Sequence, residues 1–165
     1  MFRELAQILL SIQLSTHAIP QVREEALAKH IQKRAMYVDV DPFLVVAIIT
    51  HESLWQEDAI SKDGLDYGLM QIRSIYYGDN PRYLLQGENN ITVGTGLIKL
   101  SINYCRNRLH REPATQEWLA IYQGSGFDCH PTKLTKQFED YALCLQDDVE
   151  NNKDRDCKEI YKATK

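Results

Sequence analysis

The sequence has no surplus of positive charge and no long apolar run. Its 19 Lys and Arg residues are outnumbered by 23 Asp and Glu residues, for a formal net charge of −4. Proteins that hold nucleic acid or anionic lipid through a broad face need excess positive charge, so neither partner is expected. No apolar stretch approaches the roughly 18 residues of a membrane-spanning helix, so no membrane span is expected. Any polymer that the protein binds should be recognised by shape and hydrogen bonds.

The cysteines lack the spacing of a common metal site. All four lie in the second half of the chain and none forms a C-x-x-C pair: Cys105, Cys129, Cys144 and Cys157. Their even number permits two bridges in any of three connectivities, and bridging would indicate an oxidising compartment such as a periplasm or the exterior. His130 directly follows Cys129, which leaves zinc as a minor alternative, because the ligand spacings are long and irregular.

The length fits one domain. A chain of 165 residues and 19.1 kDa can bury one real core, and its 44% hydrophobic and 25% charged residues are typical of a folded globular protein. We expect one folded domain over residues 21–150 and a charged C-terminal tail over 151–165. Residues 1–20 fit two structures. They could be a signal peptide cleaved near Ala18 or, since Leu5, Ile8 and Ile12 follow helical spacing, an N-terminal helix.

Helical periodicity dominates the rest of the chain and predicts a mainly α fold. Helices are predicted over residues 22–37, from about 90 to 108, from Pro113 through "EWLAIY", and around Phe138–Leu145. Gly94 and Gly96 within the second of these should allow another element to approach closely. The polar stretch from 56 to 68 predicts a loop or short hairpin, and "YGLMQI" fits either a strand or a further helical segment.

The helix that begins after Asp41 is the candidate central helix. Asp41 is a natural N-cap, and Pro42 suits the first helical position because its missing N–H is not needed there. Residues 43–49 are apolar without a break, so this helix should be buried nearly all round. Glu52 stands seven residues after Val45 and therefore continues an apolar stripe at the carboxyl end of the helix. Solubility alone does not explain a carboxylate in that place.

Glu52 and Asp66 are candidates for a pair of carboxyl groups that cleave a glycosidic bond. Apolar neighbours would disfavour the charged form of Glu52, so that it keeps a proton to donate near neutral pH. Glycoside cleavage needs such a donor, and a second carboxylate can stabilise the positive charge that builds on the sugar. In the alternative, Glu52 only caps the surface of the helix or pairs with a lysine, and Asp66 is a turn residue whose side chain bonds to its own backbone.

Several motifs together resemble the soluble lytic transglycosylases and goose-type lysozymes. These are "ITHES", then Ala59 and Ser61, "YGLMQI", "NNITVGTGLIKL", "AIYQGSG" and the late Tyr141, covering about residues 39–145. The Asp-Tyr-Gly segment, Asp66 to Gly68 followed by Gln71, also resembles that of c-type lysozymes. The resemblance implies a lysozyme-like fold, mainly α with a minor β or loop lobe, whose buried central helix ends at a catalytic glutamate.

The resemblance also implies roles for particular residues. Glu52 would be the catalytic acid and base, and Asp66 a second catalytic carboxylate. The implied substrate-binding residues are Ser61, Gly68, Met70, Gln71, Tyr122, Gln123 and Tyr141. Among these, Met70 and Gln71 would form the groove floor and Tyr141 would stand close to Glu52.

Three departures from the family pattern are visible. Gln123 replaces the usual asparagine, and Gln137 stands where some relatives have a glutamate. "GLDYG" is one residue longer than the usual segment and is more similar to the small transglycosylases of secretion and conjugation machinery, which makes such an apparatus a possible partner.

The leading hypothesis is a periplasmic or secreted enzyme that cuts the β-1,4 bond after N-acetylmuramic acid in peptidoglycan, leaving a 1,6-anhydro end. A lysozyme-type hydrolase that uses Glu52 and Asp66 is the first alternative. A peptidoglycan-binding module without turnover and a helical partner-binding domain with an accidental motif are the others. None of these chemistries requires a cofactor or a metal, because side chains can supply the proton and the charge.

Overall fold

Eight helices and one two-stranded sheet make up the part of the chain that the structure describes. The computed structural model describes residues 2–15, 21–78, 80–124, 127–151, 153, 157 and 159–162. In chain order the elements are α1 (Phe2–Ser15), α2 (Gln21–Val38), α3 (Pro42–Ser53), β1 (Asp66–Tyr67), β2 (Ile72–Arg73), a 3-10 turn (Ser74–Tyr77), α4 (Pro81–Leu84), α5 (Gly87–Leu109), α6 (Thr115–Tyr122), α7 (Lys133–Asn151) and α8 (Glu159–Lys162). The prediction of a mainly α fold with a minor β lobe is confirmed.

Helix α3 is the central helix, as its sequence predicts. The Asp41 carboxylate accepts a hydrogen bond from the Phe43 N–H at 2.9 Å, which caps the first turn. Residues 43–50 are all buried, and α3 packs against α1, α2 and α7. The helix ends because Leu54 and Trp55 adopt left-handed φ values of 51° and 68°. This sharp exit leaves Glu52 in the last turn of a helix that the core holds on every side.

Helices α1 and α2 cover the core beside α3. The spacing of apolar residues in α1 corresponds to a packed face, since Ile8 and Ile12 are fully buried. The predicted helix over 22–37 is confirmed by α2. Ala18 lies outside the described residues, and cleavage there stays a prediction. Over the described residues, every helix is too short or too polar to cross a membrane.

The segment "YGLMQI" forms the turn and second strand of a hairpin rather than a helix. Strands β1 and β2 are antiparallel and pair Asp66 with Arg73 and Tyr67 with Ile72. Gly68 begins the turn at φ +75°, and a Cβ there would lie 2.3 Å from the backbone oxygen of Leu84. Only glycine fits this position, because both the backbone angle and the close approach exclude a side chain.

Helix α5 begins at Gly87, three residues before the predicted start at Asn90. Its Gly94 confirms the expected close approach, because a Cβ there would lie 2.4 Å from the Met70 Sδ. Gly96 differs: among the described residues, no atom of another element would lie within 4 Å of a Cβ at this position, so the same expectation is wrong there. The hairpin therefore rests on α5 at Gly94.

The remaining helices differ from prediction mainly at their ends. Helix α6 begins at Thr115 rather than at Pro113, because the Glu117 carboxylate accepts the Ala114 N–H at 2.7 Å and so caps the helix at that point. Helix α7 extends well beyond the predicted Phe138–Leu145 in both directions. These shifts leave the predicted order of helices unchanged.

The two disulfides join Cys105 to Cys129 and Cys144 to Cys157. The first ties α5 to the segment that precedes α7. The second ties α7 to the C-terminal region, as does the Gln137 amide, which donates to the Ile160 carbonyl at 3.2 Å. The zinc alternative is wrong for Cys129, because the bridge takes away the thiolate that would bind the metal.

Candidate active site

A groove of about 1000 Å³ lies between the end of α3, the hairpin, α5 and the end of α6. Seven of the nine predicted site residues line it: Glu52, Ser61, Asp66, Met70, Gln71, Tyr122 and Gln123. Gly68 and Tyr141 do not. The chain thus brings both candidate carboxylates, from segments fourteen positions apart, to one open surface.

Glu52 enters the groove from the last turn of α3, with 20% of its side chain exposed. The Gln123 amide donates a hydrogen bond to Glu52 Oε1 at 3.0 Å. The His51 Nδ1 atom lies 3.6 Å from the same oxygen, and the His51 ring packs edge-on against Phe138 at 4.8 Å. The contacts from Gln123 and His51 both reach Oε1. His51 is therefore a neighbour of the candidate acid.

Tyr122, the last residue of α6, lies beside Glu52. Its hydroxyl lies 3.5 Å from the Met70 carbonyl, which is long for a hydrogen bond. Burial raises the pKa of Tyr122 well above its usual range, and the charge of Glu52 acts in the same direction. The phenol therefore stays protonated at any physiological pH and is a neutral donor beside the carboxylate.

Asp66 has different surroundings from those of Glu52. The Arg73 guanidinium meets it side-on across the hairpin, with Nε 3.0 Å from Oδ1 and Nη2 3.3 Å from Oδ2. Arg73 also reaches Asp63 at 3.2 Å. The ion pair engages both carboxylate oxygens of Asp66. A positive side chain is thus placed at the carboxylate that the sequence suggested as the second catalytic group.

Ser61 holds the loop that leads into the hairpin. Its hydroxyl accepts the N–H groups of Leu65 at 3.2 Å and Asp66 at 2.9 Å, and donates to Asp63 at 2.5 Å. These bonds fix the backbone at Asp66. Ser61 lines the groove as predicted, but the bonds in the structure are those of a loop organiser.

Gln71 closes the hairpin turn at a left-handed φ of 46°. Its amide donates to the carbonyls of Gly68 at 2.9 Å and Ala59 at 3.3 Å, so its bonds tie together the turn and the loop before it. Gln71 and Met70 therefore form a floor whose shape depends on backbone bonds, and Gly68 contributes to it through its turn.

Asn90 is the residue that sequence reasoning missed. It is fully buried at the start of α5. Its amide nitrogen donates to the carbonyls of Tyr67 and Leu84 at 2.7 and 2.8 Å, and its amide oxygen accepts the Met70 N–H at 2.7 Å. One side chain thereby fixes both ends of the hairpin turn. Its only signal in the sequence was the "NNI" start of the family-like helix.

Tyr141 is not at the groove. It is fully buried on α7, the helix that packs against α3, and lies in the core. Tyr141 is thus packed in the core, and its contact with substrate stays a prediction. Arg73 was also missed by sequence reasoning, because its pairing with Asp66 depends on the register of a turn that the sequence left undecided.

A mainly α fold in which a buried helix delivers one carboxylate to a groove with a small hairpin belongs to the lysozyme-like class. Residues 29–129, more than half of the chain, match the family described as the transglycosylase SLT domain. The chain belongs to this family. A comparison with the curated proteins gives no match. Membership confirms the resemblance and supports, in general terms, a transglycosylase-type function on peptidoglycan. Tyr141 and Gln137 lie outside the matched residues.

Proposed function

We propose that the protein is a lytic transglycosylase that cleaves the β-1,4 bond between N-acetylmuramic acid and N-acetylglucosamine and leaves a 1,6-anhydro end. The observation that carries the proposal is that the two carboxylates have different neighbours. Glu52 enters the groove with one hydrogen bond, from the uncharged Gln123 amide to Oε1, whereas Asp66 is engaged at both oxygens by Arg73. One carboxyl group is thus available for proton transfer, and one is committed to an ion pair.

In the first step Glu52 is the general acid. Its proton passes to the glycosidic oxygen, the bond from that oxygen to C1 of the muramic acid breaks, and positive charge develops on the ring. The contacts from Gln123 and His51 both reach Oε1, so Oε2 is the oxygen that carries the transferable proton. Gln123 then acts as a positioning residue, because its hydrogen bond fixes the plane of the carboxyl group.

In the second step Glu52 is the general base. Its carboxylate accepts the proton of the muramic acid 6-hydroxyl, and the freed oxygen bonds to C1 of the same ring. The proton lost in the first step is thereby restored, and no water is consumed. The ionised Asp66, held by Arg73, contributes a fixed charge near the developing cation rather than a bond to it.

The lysozyme-type hydrolase is the second candidate, and the presence of Asp66 in the groove favours it. In that mechanism Asp66 would attack C1, or stabilise it until water arrives. Attack requires a free oxygen lone pair directed at C1, and the side-on contact with Arg73 opposes this. The ion pair is the reason for ranking hydrolysis second.

We also propose that the protein works in the periplasm or is secreted to the cell envelope. Peptidoglycan lies outside the cytoplasm, and two disulfides are typical of an oxidising compartment. Association with a secretion or conjugation apparatus stays a prediction from the "GLDYG" segment.

The test is digestion of purified sacculi by the wild-type chain and by Glu52→Gln, with the released fragments read by mass spectrometry. We expect fragments lighter by one water than hydrolysed ones, and a loss of rate of about a thousandfold in the variant. Glu25→Gln, on exposed α2 surface, is the matched control and should digest normally. Binding to sacculi without release of fragments by the wild type would instead support the binding module.

A further inference from the structure

One part of the groove is an apolar strip that the catalytic proposal does not use. It runs along α5 through Leu97, Leu100 and Tyr104 and continues to Phe127 after α6. Leu100, Tyr104 and Phe127 are 65%, 39% and 80% exposed. Single exposed apolar residues are common on proteins, but a contiguous set within a groove marks a binding surface.

The two aromatic residues of the strip are fixed to each other. The Tyr104 hydroxyl donates to the Phe127 carbonyl at 2.8 Å, and the two rings lie 6.5 Å apart at 62°. Directly beside them, the buried bridge from Cys105 to Cys129 joins the same two segments of chain. An 80% exposed phenylalanine is thus held in place by its backbone rather than by burial of its ring.

We propose that Tyr104 and Phe127, here called the aromatic platform, form a subsite that binds an amino-sugar ring of the glycan strand away from the bond that is cut. This inference rests on the proposed function. A β-linked pyranose presents C–H groups on its faces, and aromatic rings bind such surfaces through hydrophobic contact. The platform lines the same groove as Glu52, so one strand reaches both.

The chemistry of the strip favours a sugar over the peptide stem of peptidoglycan. The side chains that line this part of the groove, from Leu97 to Tyr104 and at Phe127, are uncharged. A stem peptide carries carboxylate and amino groups, whose recognition needs oppositely charged partners. The ring faces and acetyl methyl groups of the sugars need only apolar contact.

The Cys105–Cys129 bridge is assigned the role of positioning the platform. Without it, the chain at Phe127 would retain the Tyr104 hydrogen bond but lose its covalent link to α5. The Cys144–Cys157 bridge joins α7 to the C-terminal region and involves none of the residues that line the groove. The chain therefore contains its own matched control for the effect of removing a disulfide.

The first experiment measures binding of a β-1,4-linked N-acetylglucosamine hexamer, which has no peptide, by calorimetry. All variants are made in the Glu52→Gln background, so that the ligand is not turned over. Phe127→Ala should weaken binding about five- to tenfold, as expected for loss of one aromatic contact. Phe127→Tyr should restore most of the affinity. Met36→Ala, which removes an exposed side chain from α2 outside the groove, is the control and should bind like the parent.

The second experiment compares two double variants in the same assay. Cys105→Ser with Cys129→Ser should weaken hexamer binding by about the same five- to tenfold as the platform variant, because the platform is then unfixed. Cys144→Ser with Cys157→Ser should bind like the parent. If either pair fails to fold, the Phe127 variants still decide the inference.

Unchanged hexamer affinity in Phe127→Ala would overturn the inference. If Phe127→Ala in the wild-type background nevertheless digested sacculi more slowly, the occupant would be the peptide stem instead. Failure of the proposed function gives a different result, since a wild-type chain that releases no fragments leaves the hexamer measurement intact.

Discussion

The end of α3 and the β1–β2 hairpin each bring a carboxylate to the same groove, but they are built in different ways. Helix α3 is capped by Asp41 and buried over residues 43–50, so Glu52 is held by core packing. The hairpin has strands of two residues and is held by side-chain bonds to backbone, from Ser61 and Asn90 above all. Packing thus supports Glu52, to which we assign proton transfer, and polar bonds support Asp66, to which we assign only a fixed charge.

This difference has an energetic consequence. Core packing is spread over many contacts, so no single side chain on α3 decides where Glu52 lies. The hairpin depends on a few buried hydrogen bonds, each costly to lose because its partner is left unsatisfied. Single substitutions should therefore disturb the hairpin more readily than the helix.

Asn90→Ala should have the largest effect, because it removes the main support of the hairpin. Three hydrogen bonds are lost, two of them buried and one half-buried, so the free energy of unfolding should fall by about 3 kcal/mol. Denaturant unfolding measures this. Asn89→Ala, at the neighbouring position, removes one exposed bond to Gln86 and should cost little. Equal losses in the two variants would mean that Asn90 does not organise the hairpin.

Gln123→Leu should affect activity rather than stability. It removes the hydrogen bond to Glu52 Oε1, and kcat/KM on sacculi should fall about tenfold while Tm stays near that of the wild type. Gln56→Leu, an exposed change outside the groove, is the control for the added apolar surface. An unchanged rate in Gln123→Leu would remove the positioning role from this residue.

Asp66→Asn should have a smaller effect, about threefold on kcat/KM, because only a fixed charge near the sugar is lost. Asp63→Asn is the matched control, since Asp63 also pairs with Arg73 but does not line the groove. A loss in Asp66→Asn as large as that in Glu52→Gln would show that the two carboxylates act as a lysozyme pair.

The smallest expected effect concerns an ion cluster that joins three parts of the chain. These parts are α2, α5 and the loop that follows α3. Arg23 pairs with Glu57 and Glu88, and its hydrogen bond lowers the pKa of Glu88 below the ordinary 4.5. A lowered folded pKa stabilises the fold above pH 4.5, and this contribution is lost as the pH falls through the folded value.

In Glu88→Gln the free energy of unfolding should therefore fall less steeply below pH 4.5 than in the wild type. The difference should be only about 0.5 kcal/mol, because the Glu88 side chain is 38% exposed. Urea unfolding between pH 3 and 7, roughly the range over which carboxylates titrate, measures it. Glu25→Gln is the control, and a similar flattening there would assign the effect to general surface charge.

Features set by neighbouring residues were predictable from the sequence. The cap at Asp41, the buried run of α3 and the place of Glu52 follow from spacing within one helix, and all are confirmed as structure. Leu97, Leu100 and Tyr104 stand at i, i+3 and i+7, along one side of the helix that the sequence predicts from about residue 90 to 108. Periodicity could not indicate that this side faces a groove, because apolar residues follow the same pattern whether they face a core or a ligand.

Features that depend on distant pairs were not predictable. The connectivity of the cysteines and the bond from Gln123 to Glu52 join segments far apart in the chain. The pairing of Arg73 with Asp66 requires the hairpin register, which a two-residue strand does not reveal in sequence. Asn90 was hidden for a related reason, since a polar residue near a helix start is ordinarily interpreted as a cap rather than as a buried clamp.

The most direct test of the different roles of Glu52 and Asp66 is digestion of sacculi by the wild-type chain in water enriched in heavy oxygen. Mass spectrometry then measures the isotope content of the new muramic acid ends. If Glu52 acts alone as acid and base, the 6-hydroxyl supplies the oxygen, and the new ends are anhydro sugars without the heavy isotope. Reducing ends that carry the heavy isotope would show that water attacks C1, and would contradict the proposal that Glu52 alone is acid and base with hydrolysis ranked second.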